Sequence, residues 1–402
     1  MIEVAEAIEI VRQQTLRLET ERIEIDHVLG RVLAGDVIAD SDLPPFDRSQ
    51  MDGYAVRAED VKVAPVQLRI VGESAAGRGW HNQLEEGQAV RIMTGAPVPA
   101  GADSVQQVEL TTELRDATVV ELQETVELGR SIVKRGAEIK AGEVVLNAGT
   151  PINAAMMAVL AAFGYANVEV FRKPRVAVLA TGTELVSVDQ TPGQDQIRDS
   201  NNYSITAYAV LAGATVERMP LTGDDTTLLK QQLAAAAERC DVIVTSGGVS
   251  MGVYDVTKTA LKELDAEIFF DRVALRPGKP TVFARLPNGT LVFGLPGNPV
   301  SVAVTFNLFA RTALLAMQGA TDPTLKRETA ALARSVKGTT DRDSYLPAQL
   351  TTNDDAELIA FPLKWGGSSD FVAFALTTAL LIVPANLKSI EAGSIVTVLR
   401  LP

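Results

Sequence analysis

Residues 241–258 read DVIVTSGGVSMGVYDVTK and join a short apolar run, a glycine-rich loop and the start of a predicted helix. The run DVIVTS has the length and the β-branched content of a strand that is buried on both faces. In an open parallel sheet, ligands bind at the carboxyl ends of the strands, where the backbone N–H groups of such a loop can surround an anion. The segment therefore predicts a binding loop; the alternative is a tight turn followed by Asp255 as an ordinary helix cap.

Strand and helix patterns alternate around this segment. RVAVLAT (175–181) is a second continuous apolar run, and a third strand is predicted near 215–220. TVFARL and TLVFGL flank Pro287, Asn288 and Gly289, which indicates a hairpin. Helices are predicted near 202–212, 226–239, 256–264 and 299–317, the last with Asn298 as its cap and Pro299 at its first position. This order predicts a multidomain α/β protein with a three-layer αβα domain and a mostly parallel sheet.

Three further units surround this sheet domain. An amphipathic helix with Val4, Ile8 and Val11 on one face begins the sequence, and a second helix is predicted at 151–163 with Pro151 at its first position. The segment between them is β-rich, and the last segment predicts a small β domain. The predicted domains are an N-terminal domain from 1–40 and 140–170, an inserted β-rich domain 41–139, the αβα domain 171–323 and a C-terminal β domain 324–402.

The composition excludes several classes of protein. The 402 residues include one cysteine and two histidines, so an intrachain disulfide and most zinc or histidine-dependent catalytic sites are excluded. The net charge of −13 disfavours nonspecific binding to nucleic acid or to a membrane surface. With no pattern of a signal peptide or membrane span, we expect a cytoplasmic protein. An anionic substrate then needs a local basic pocket, and a metal site must use carboxylates, which suit magnesium.

Candidate site residues lie in loops expected at one edge of the predicted sheet. One is the glycine-rich loop SGGVSMGVYD (246–255), the SGG loop. The others are TGTELV (181–186) with Glu184, RPGKP (276–280) with Arg276 and Lys279, and GLPGNPVS (294–301) with Ser301. One of the acidic pair Asp224 and Asp225 adds a carboxylate, or only caps the helix that follows. Carboxylates and cations at one sheet edge are the arrangement that magnesium needs to bridge phosphate oxygens.

Eight motifs, in order, resemble those of the molybdopterin molybdenumtransferases, the MoeA and gephyrin E-domain family. They are LPPFDRSQMDGYAVR (43–57), RIMTGAPVPAGADSV (91–105), ATGTELV (180–186), IRDSN (197–201), the acidic pair 224–225, SGGVSMGVYDVTK (246–258), RPGKP and GLPGNPVS. The resemblance implies an αβα domain of the molybdopterin-binding type, an elongated N-terminal domain and a C-terminal β-barrel-like domain. It also implies a transferase of molybdenum cofactor biosynthesis that inserts molybdate into adenylylated molybdopterin, with magnesium-dependent release of AMP.

The same resemblance implies the site residues. Its catalytic positions correspond to Asp52, Thr94, Glu184, Asp225 and Asp255. Magnesium is expected on Glu184, Asp225 and Asp255. The positions expected to bind the pterin substrate are Ser246, Gly247, Gly248, Ser250, Pro296, Asn298 and Pro299. The positions expected to bind molybdate are Arg276, Lys279, Pro280, Ser301, Arg342 and Ser368.

The family resemblance also implies partners. A homodimer is expected, in which the inserted domain of one subunit faces the sheet domain of the other, so that Asp52 and Thr94 act across the subunit boundary. The expected substrates are adenylylated molybdopterin and molybdate, and a transient contact with the molybdopterin adenylyltransferase is expected. No nucleic-acid or membrane partner is expected.

The chain departs from the family pattern at a few positions. Arg276 stands where Lys is common, Glu138 where Asp is usual, and Pro347 at a second basic position near Arg342. Two other functions are alternatives: a molybdopterin adenylyltransferase acting one step earlier, which shares the SGG loop, and a noncatalytic scaffold. The extra N-terminal and C-terminal domains argue against the first, and the retained acidic positions argue against the second.

Overall fold

The computed structural model describes residues 1–249 and 256–402. The chain forms two compact units. The first comprises Met1–Gly35, Gly149–Asn153 and Asn167–Pro402, and the second comprises Asp36–Ala148 and Ala154–Ala166. Ser250 and Asp255, two of the predicted site residues, lie outside the described residues.

The centre of the first unit is a sheet of six described strands. Their order across the sheet is Thr215–Arg218, Arg175–Ala180, Val242–Ser246, Leu291–Leu295, Val282–Arg285 and Glu267–Phe270. The first four are parallel. Val282–Arg285 pairs in antiparallel fashion with Leu291–Leu295 through the predicted hairpin, and Glu267–Phe270 pairs in antiparallel fashion with Val282–Arg285. Val242, Ile243 and Val244 are fully buried, as a continuous apolar strand covered on both faces requires. The mostly parallel αβα architecture predicted from the sequence is confirmed.

The described residues contain these α-helices: Val4–Gln14, Ala154–Ala162, Asn201–Leu211, Thr226–Ala237, Val256–Glu263, Pro299–Thr305, Arg311–Met317 and Phe371–Phe374. A π-helical turn, Phe306–Ala310, joins two of them into the predicted helix 299–317. This helix is long and apolar enough to cross a membrane, but 83% of it is buried in the protein, as in a core helix. Its apolar side packs on the central sheet.

The N-terminal helix Val4–Gln14 also belongs to the core of the first unit. Val4, Ala7 and Val11 are buried in the same hydrophobic cluster as Val176 and Leu314. The strand Thr20–Glu24 then pairs in antiparallel fashion with Asn167–Phe171. Long-range packing therefore joins the N-terminal helix to the sheet domain, although the sequence pattern alone grouped it with 140–170.

Two helix starts differ from their predictions. Pro151 lies outside the helix, because it forms an isolated antiparallel bridge with Val32 and the Ile152 N–H donates to the Arg31 carbonyl at 2.8 Å. The helix begins at Ala154. Ser200 makes no side-chain cap for the helix Asn201–Leu211; instead, Oδ1 of Asp199 accepts the Asn202 N–H at 3.1 Å.

The second unit contains a β-rich region, as predicted. Its main sheet has the order Ser104–Gln107, Gly53–Val56, Gln88–Ile92, Val66–Ser74, Val119–Leu122 and Thr111–Leu114. Two short antiparallel pairs accompany this sheet: Ile132–Val133 with Arg48–Ser49, and Val144–Leu146 with Val37–Ile38. Tyr54, Val56 and Leu122 are buried on one face of the main sheet.

The C-terminal part of the first unit is a closed barrel. Around the ring, its strands are Asp343–Thr352, Leu358–Pro362, Arg327–Leu332, Ile395–Arg400 and Ala379–Val383, the last of which pairs again with the first. Small side chains such as Ala348, Ala360 and Ala379 fill its centre. Val336–Lys337 and Ser389–Ile390 form a separate antiparallel pair. The predicted barrel-like C-terminal domain is confirmed.

Removal of a buried side chain from the central sheet should be costly. We expect Leu179→Ala to lower the free energy of unfolding by about 2–5 kcal/mol, because Leu179 is fully buried and its removal leaves a cavity. The matched control is Leu211→Ala, since Leu211 is 66% exposed and should change stability by no more than about 0.5 kcal/mol. Urea unfolding followed by circular dichroism gives both values; equal losses in the two variants would contradict the assignment of Leu179 to the core.

Candidate active site

A cavity of about 980 Å³ lies at the carboxyl ends of the parallel strands. Its floor includes Thr181 after one strand, Ser246–Val249 after the next and Pro296–Pro299 after the third. This is the edge of an open parallel sheet where ligands bind. The structure thus brings together the predicted substrate-binding residues in the described part of the chain: Ser246, Gly247, Gly248, Pro296, Asn298 and Pro299.

The first two loops are fixed by close backbone packing. The Thr181 N–H donates to the Ser246 carbonyl at 2.9 Å, and the Gly182 N–H donates to the Thr222 carbonyl at 3.1 Å. Gly247 has a φ of +88° and passes so close to Thr181 that a Cβ atom would lie 2.3 Å from the Thr181 carbonyl oxygen. Only glycine fits there without displacing the loop, which keeps the cavity floor open to a ligand.

The third loop is tied to the neighbouring helix and to the barrel. The Asn201 Nδ2 donates to the Gly297 carbonyl at 2.8 Å, and the Asn298 Nδ2 donates to the Ser368 Oγ at 2.8 Å. The Val300 N–H donates to the Ser368 carbonyl at 3.0 Å. Ser368, predicted from the resemblance, therefore contacts this loop, and its neighbour Ser369 lines the cavity.

Two buried polar atoms are left without partners beside the cavity. They are the Ser246 Oγ and the Asn201 Oδ1, which make no hydrogen bond within residues 1–249 and 256–402. Both residues line the cavity. Because unpaired buried polar groups are costly, such atoms concentrate at sites where function outweighs stability.

Glu184 and Asp224 supply carboxylates to the cavity lining. The Glu184 carboxylate folds back over Gly182, where a Cβ would lie 2.5 Å from its Oε2. The sequence does not decide whether Asp224 or Asp225 supplies a carboxylate to the site. In the structure Asp224 lines the cavity, whereas Asp225 is not among the described lining residues.

Asp225 caps the helix Thr226–Ala237. Its Oδ1 accepts the N–H groups of Thr227 and Leu228 at 2.8 and 3.1 Å, which leaves Oδ2 without a hydrogen bond from the described residues. The helix-cap prediction for this acidic pair is therefore correct for Asp225. A metal role for Asp225 would use the second oxygen.

The carboxylates of the cavity suit magnesium. The described residues contain no cluster of three or more His, Cys, Asp or Glu side chains that could hold a metal ion. Mg²⁺, however, commonly takes one or two carboxylates and fills its other positions with water and phosphate oxygens. Glu184 and Asp224 provide two hard oxygen ligands at one cavity and fit that pattern.

The predicted cations lie beside the cavity rather than in its lining. Pro280 lines the cavity, but Arg276 and Lys279 do not. Arg276 is exposed and Lys279 is half-buried, and neither forms an ion pair with any residue in the described ranges. Two unpaired cations close to an acidic cavity are able to hold an anion at its edge.

The other predicted molybdate residues lie next to two different loops: Arg342 near the RPGKP loop, and Ser301 and Ser368 near the segment Pro296–Pro299. The strand Leu275–Arg276 pairs in parallel with Asp343–Ser344 of the barrel, which brings the segment after Arg342 next to the RPGKP loop. Arg342 itself lies 3.4 Å from Asp341 across an ion pair. Ser301 is buried in the first turn of the helix Pro299–Thr305. The roles of these residues remain predictions.

Asp52 and Thr94 contact each other in the second unit. The Thr94 N–H and Oγ1 both donate to the Asp52 Oδ1, at 2.7 and 3.0 Å. These two bonds stabilise the charged form and lower the pKa of the Asp52 carboxyl below its ordinary value. Glu138, which stands where the family usually has Asp, pairs with Arg48 at 3.1 Å.

Several lining residues were not predicted as site residues. They are Thr181, Gly182, Leu185, Pro192, Gln196, Ile197, Arg198, Asp199, Ser200, Asn201, Val249, Gly297, Ser369 and Phe371. In the sequence, the motif IRDSN (197–201) supports only the resemblance to the family and does not by itself predict a site residue. The adjacent charges Arg198 and Asp199 just before a predicted helix were the available signal, but nothing in the sequence showed that this motif lines the same cavity as the glycine-rich loop.

Comparison with known proteins places the whole chain in one family. Models of the MoeA N-terminal region (domain I and II), of a probable molybdopterin binding domain and of the MoeA C-terminal region (domain IV) match residues 2–164, 177–316 and 329–401. The molybdopterin molybdenumtransferase of Bacillus subtilis is 35% identical over 404 residues, which cover 99% of this chain and 94% of that protein. The chain belongs to this family.

Further relatives support this membership. The enzyme of the same name from Staphylococcus epidermidis is 34% identical over 99% of this chain and 95% of its own length. Two crystal structures of the MoeA protein of Pyrococcus horikoshii match the full chain, with TM-scores of 0.81 at 31% identity and 0.86 at 27% identity. The predicted family, the transferase class and the place in molybdenum cofactor biosynthesis are confirmed.

The Thr94 contact should set the acidity of Asp52. We expect Thr94→Val to raise the pKa of the Asp52 carboxyl towards its ordinary value, because the hydroxyl donor is lost while the backbone donor remains. Carboxyl-carbon NMR titration measures the change. Thr118→Val is the control, since its hydroxyl donates to the Arg115 carbonyl and should leave the pKa of Asp52 unchanged.

Close packing at Gly247 should also be measurable. Gly247→Ala and Gly289→Ala both place alanine at a positive φ, +88° and +95°, which costs roughly 1–2 kcal/mol by itself. A Cβ at Gly289 meets nothing within 4 Å, whereas one at Gly247 would clash with Thr181. Thermal unfolding should therefore show a larger loss for Gly247→Ala; equal losses would show that the loop yields without cost.

Proposed function

We propose that this protein inserts molybdate into adenylylated molybdopterin with magnesium-dependent release of AMP. The observation that carries the proposal is the cavity at the carboxyl edge of the central sheet, with its open glycine loop at 246–248 and carboxylates on its lining. A cavity of about 980 Å³ is large enough for a nucleotide-sized ligand. We further propose that the reaction takes place in the cytoplasm.

Different residues at the cavity bind the two anions of the proposed reaction, the phosphate of the pterin substrate and molybdate. The backbone of Gly247 and Gly248 borders the cavity and can approach a phosphate, because neither residue has a side chain in the way. Arg276 and Lys279 lie at the adjoining edge and hold molybdate, with Pro280 linking their loop to the cavity. Because both anions are bound at one edge, less translational and rotational entropy is lost when they react.

Glu184 and Asp224 are the described carboxylates that would hold Mg²⁺, with Asp255 and the second oxygen of Asp225 as the positions implied by the family resemblance. Bound Mg²⁺ would neutralise the charge that develops on the phosphoanhydride when AMP leaves. The molybdenum ends on the dithiolene sulfurs of the substrate, so no protein thiol is required. This agrees with a chain whose single cysteine, Cys240, is buried.

We also propose that the protein acts as a homodimer in which Asp52 and Thr94 of one subunit complete the site of the other. A transient contact with the molybdopterin adenylyltransferase would deliver the adenylylated substrate. The support is the family resemblance of the motifs around Asp52 and Thr94; in addition, the two bonds from Thr94 fix the position of the Asp52 carboxylate and lower its pKa.

The proposal is tested by product formation. Purified protein with adenylylated molybdopterin, molybdate and magnesium should release AMP, whereas ATP with metal-free molybdopterin should give no adenylylated product. AMP release should be absent without magnesium. Accumulation of adenylylated pterin from ATP would instead identify an adenylyltransferase and overturn the proposal.

Substitutions of a carboxylate by the corresponding amide test which acidic residues act on magnesium. We expect Glu184→Gln, Asp224→Asn and Asp255→Asn each to lower the rate of AMP release by roughly a hundredfold or more, since each removes a carboxylate proposed to act on magnesium. Asp225→Asn is the matched test, because asparagine caps a helix as well as aspartate does. A large loss in that variant with unchanged thermal stability assigns Asp225 to the metal; full magnesium-dependent turnover by Asp255→Asn would contradict the predicted role of Asp255.

A further inference from the structure

A two-stranded ribbon forms one wall of the cavity. Leu185–Val186 pairs in parallel with Ile197–Arg198, and the Ile197 N–H donates to the Glu184 carbonyl at 2.8 Å. The Asp199 N–H donates to the Val186 carbonyl at 2.9 Å, so the register is fixed on both sides of Arg198. Backbone pairing therefore sets the place of Arg198 in the wall.

The charges on the cavity lining are mostly negative. Glu184, Asp199 and Asp224 line it, and among the described lining residues Arg198 is the basic one. A phosphate that enters this cavity meets like charges, which repel it unless a cation or a metal ion faces it. Because Arg276 and Lys279 lie outside the lining, Arg198 is the side chain placed to offset that repulsion.

The contacts of Arg198 leave its guanidinium group available. Its Nε donates to the Gln190 carbonyl at 3.0 Å, and neither Nη atom donates to an acceptor in the part of the chain that the structure describes. The residue is exposed. A planar fork with free Nη groups suits the oxygens of a phosphate, and the anchored Nε reduces the side-chain freedom lost on binding.

Apolar residues also line this cavity. They include Leu185, Pro192 and Ile197, and Ile197 is 58% exposed. An apolar surface beside a cation suits a ligand with a planar ring and a phosphate, such as a nucleoside monophosphate. Facing this wall, the SGG loop and the segment Pro296–Pro299 complete the cavity.

We infer that Arg198 binds the phosphate of the adenylyl half of the substrate, and that the apolar residues of the ribbon bind its adenine ring. This assignment rests on the proposed function, since it states which half of the substrate lies against the ribbon. Arg198 is thus a substrate-binding residue for the nucleotide, separate from the cations proposed for molybdate.

The inference is tested by binding without turnover. Isothermal titration calorimetry of AMP and of adenosine, each with the full-length wild type, Arg198→Ala and Arg198→Lys, separates a phosphate contact from a base contact. We expect Arg198→Ala to weaken AMP binding by about tenfold or more and to leave adenosine binding unchanged. Arg198→Lys should fall in between, because it keeps the charge and loses the fork.

The matched control is Arg175→Ala. Arg175 is also exposed, forms no ion pair with a described residue and lies in the same unit, but at the amino end of its strand, away from the cavity. It should leave the affinity for AMP unchanged. The difference between wild type and Arg198→Ala should shrink as the salt concentration rises, which a purely structural role of Arg198 does not predict.

Each outcome decides the inference. Equal AMP affinity in wild type and Arg198→Ala overturns it, as does an equal loss for AMP and adenosine, which would mean that Arg198 only shapes the ribbon. Absence of AMP and adenosine binding in the wild type also overturns it. Failure of the proposed function is distinct: the wild type then binds AMP in an Arg198-dependent way but releases none from adenylylated molybdopterin.

Discussion

The candidate site depends on the close contact between two backbone segments, at Thr181 and Gly247. Both follow neighbouring parallel strands, so the register of Arg175–Ala180 against Val242–Ser246 brings the two loops together at one edge. The absence of a side chain at Gly247 then lets them touch. The adjacent strand Leu291–Leu295 adds the segment Pro296–Pro299 to the same edge. Without this pairing, the loops would have no common space to enclose.

The charge arrangement follows from the same packing. An acidic protein with a net charge of −13 repels anionic substrates, and the carboxylates on the cavity lining strengthen that repulsion locally. The structure places compensating cations at two positions: Arg198 on the wall of the cavity, and Arg276 with Lys279 in the loop that reaches the cavity through Pro280. Two anions that meet at this edge of the sheet would each have a cation beside them.

The barrel contributes to the site through short but specific contacts. Leu275–Arg276 extends the barrel sheet by pairing with Asp343–Ser344, and Ser368 binds both Asn298 and Val300. These contacts couple the positions of the RPGKP loop and of the segment Pro296–Pro299 to the C-terminal part of the first unit. The barrel therefore has a role at the site beyond stability, and its side chains Ser369 and Phe371 line the cavity directly.

The sequence by itself determined the central architecture, because continuous apolar strands alternating with amphipathic helices admit few arrangements other than a parallel sheet with helices on both faces. It also determined the family and the glycine loop at 246–248, since these depend on local residue types. The tertiary structure alone decided that Asp224 faces the cavity while Asp225 caps a helix, that Arg198 joins the lining and that Arg276 stays outside it. Neighbouring residues such as Asp224 and Asp225 have the same local signal. Local bonds from Thr227 and Leu228 hold Asp225 as the cap, whereas pairing of Thr181 with Thr222, far apart in the chain, brings the segment of Asp224 to the cavity. That pairing has no signature in any single stretch of sequence.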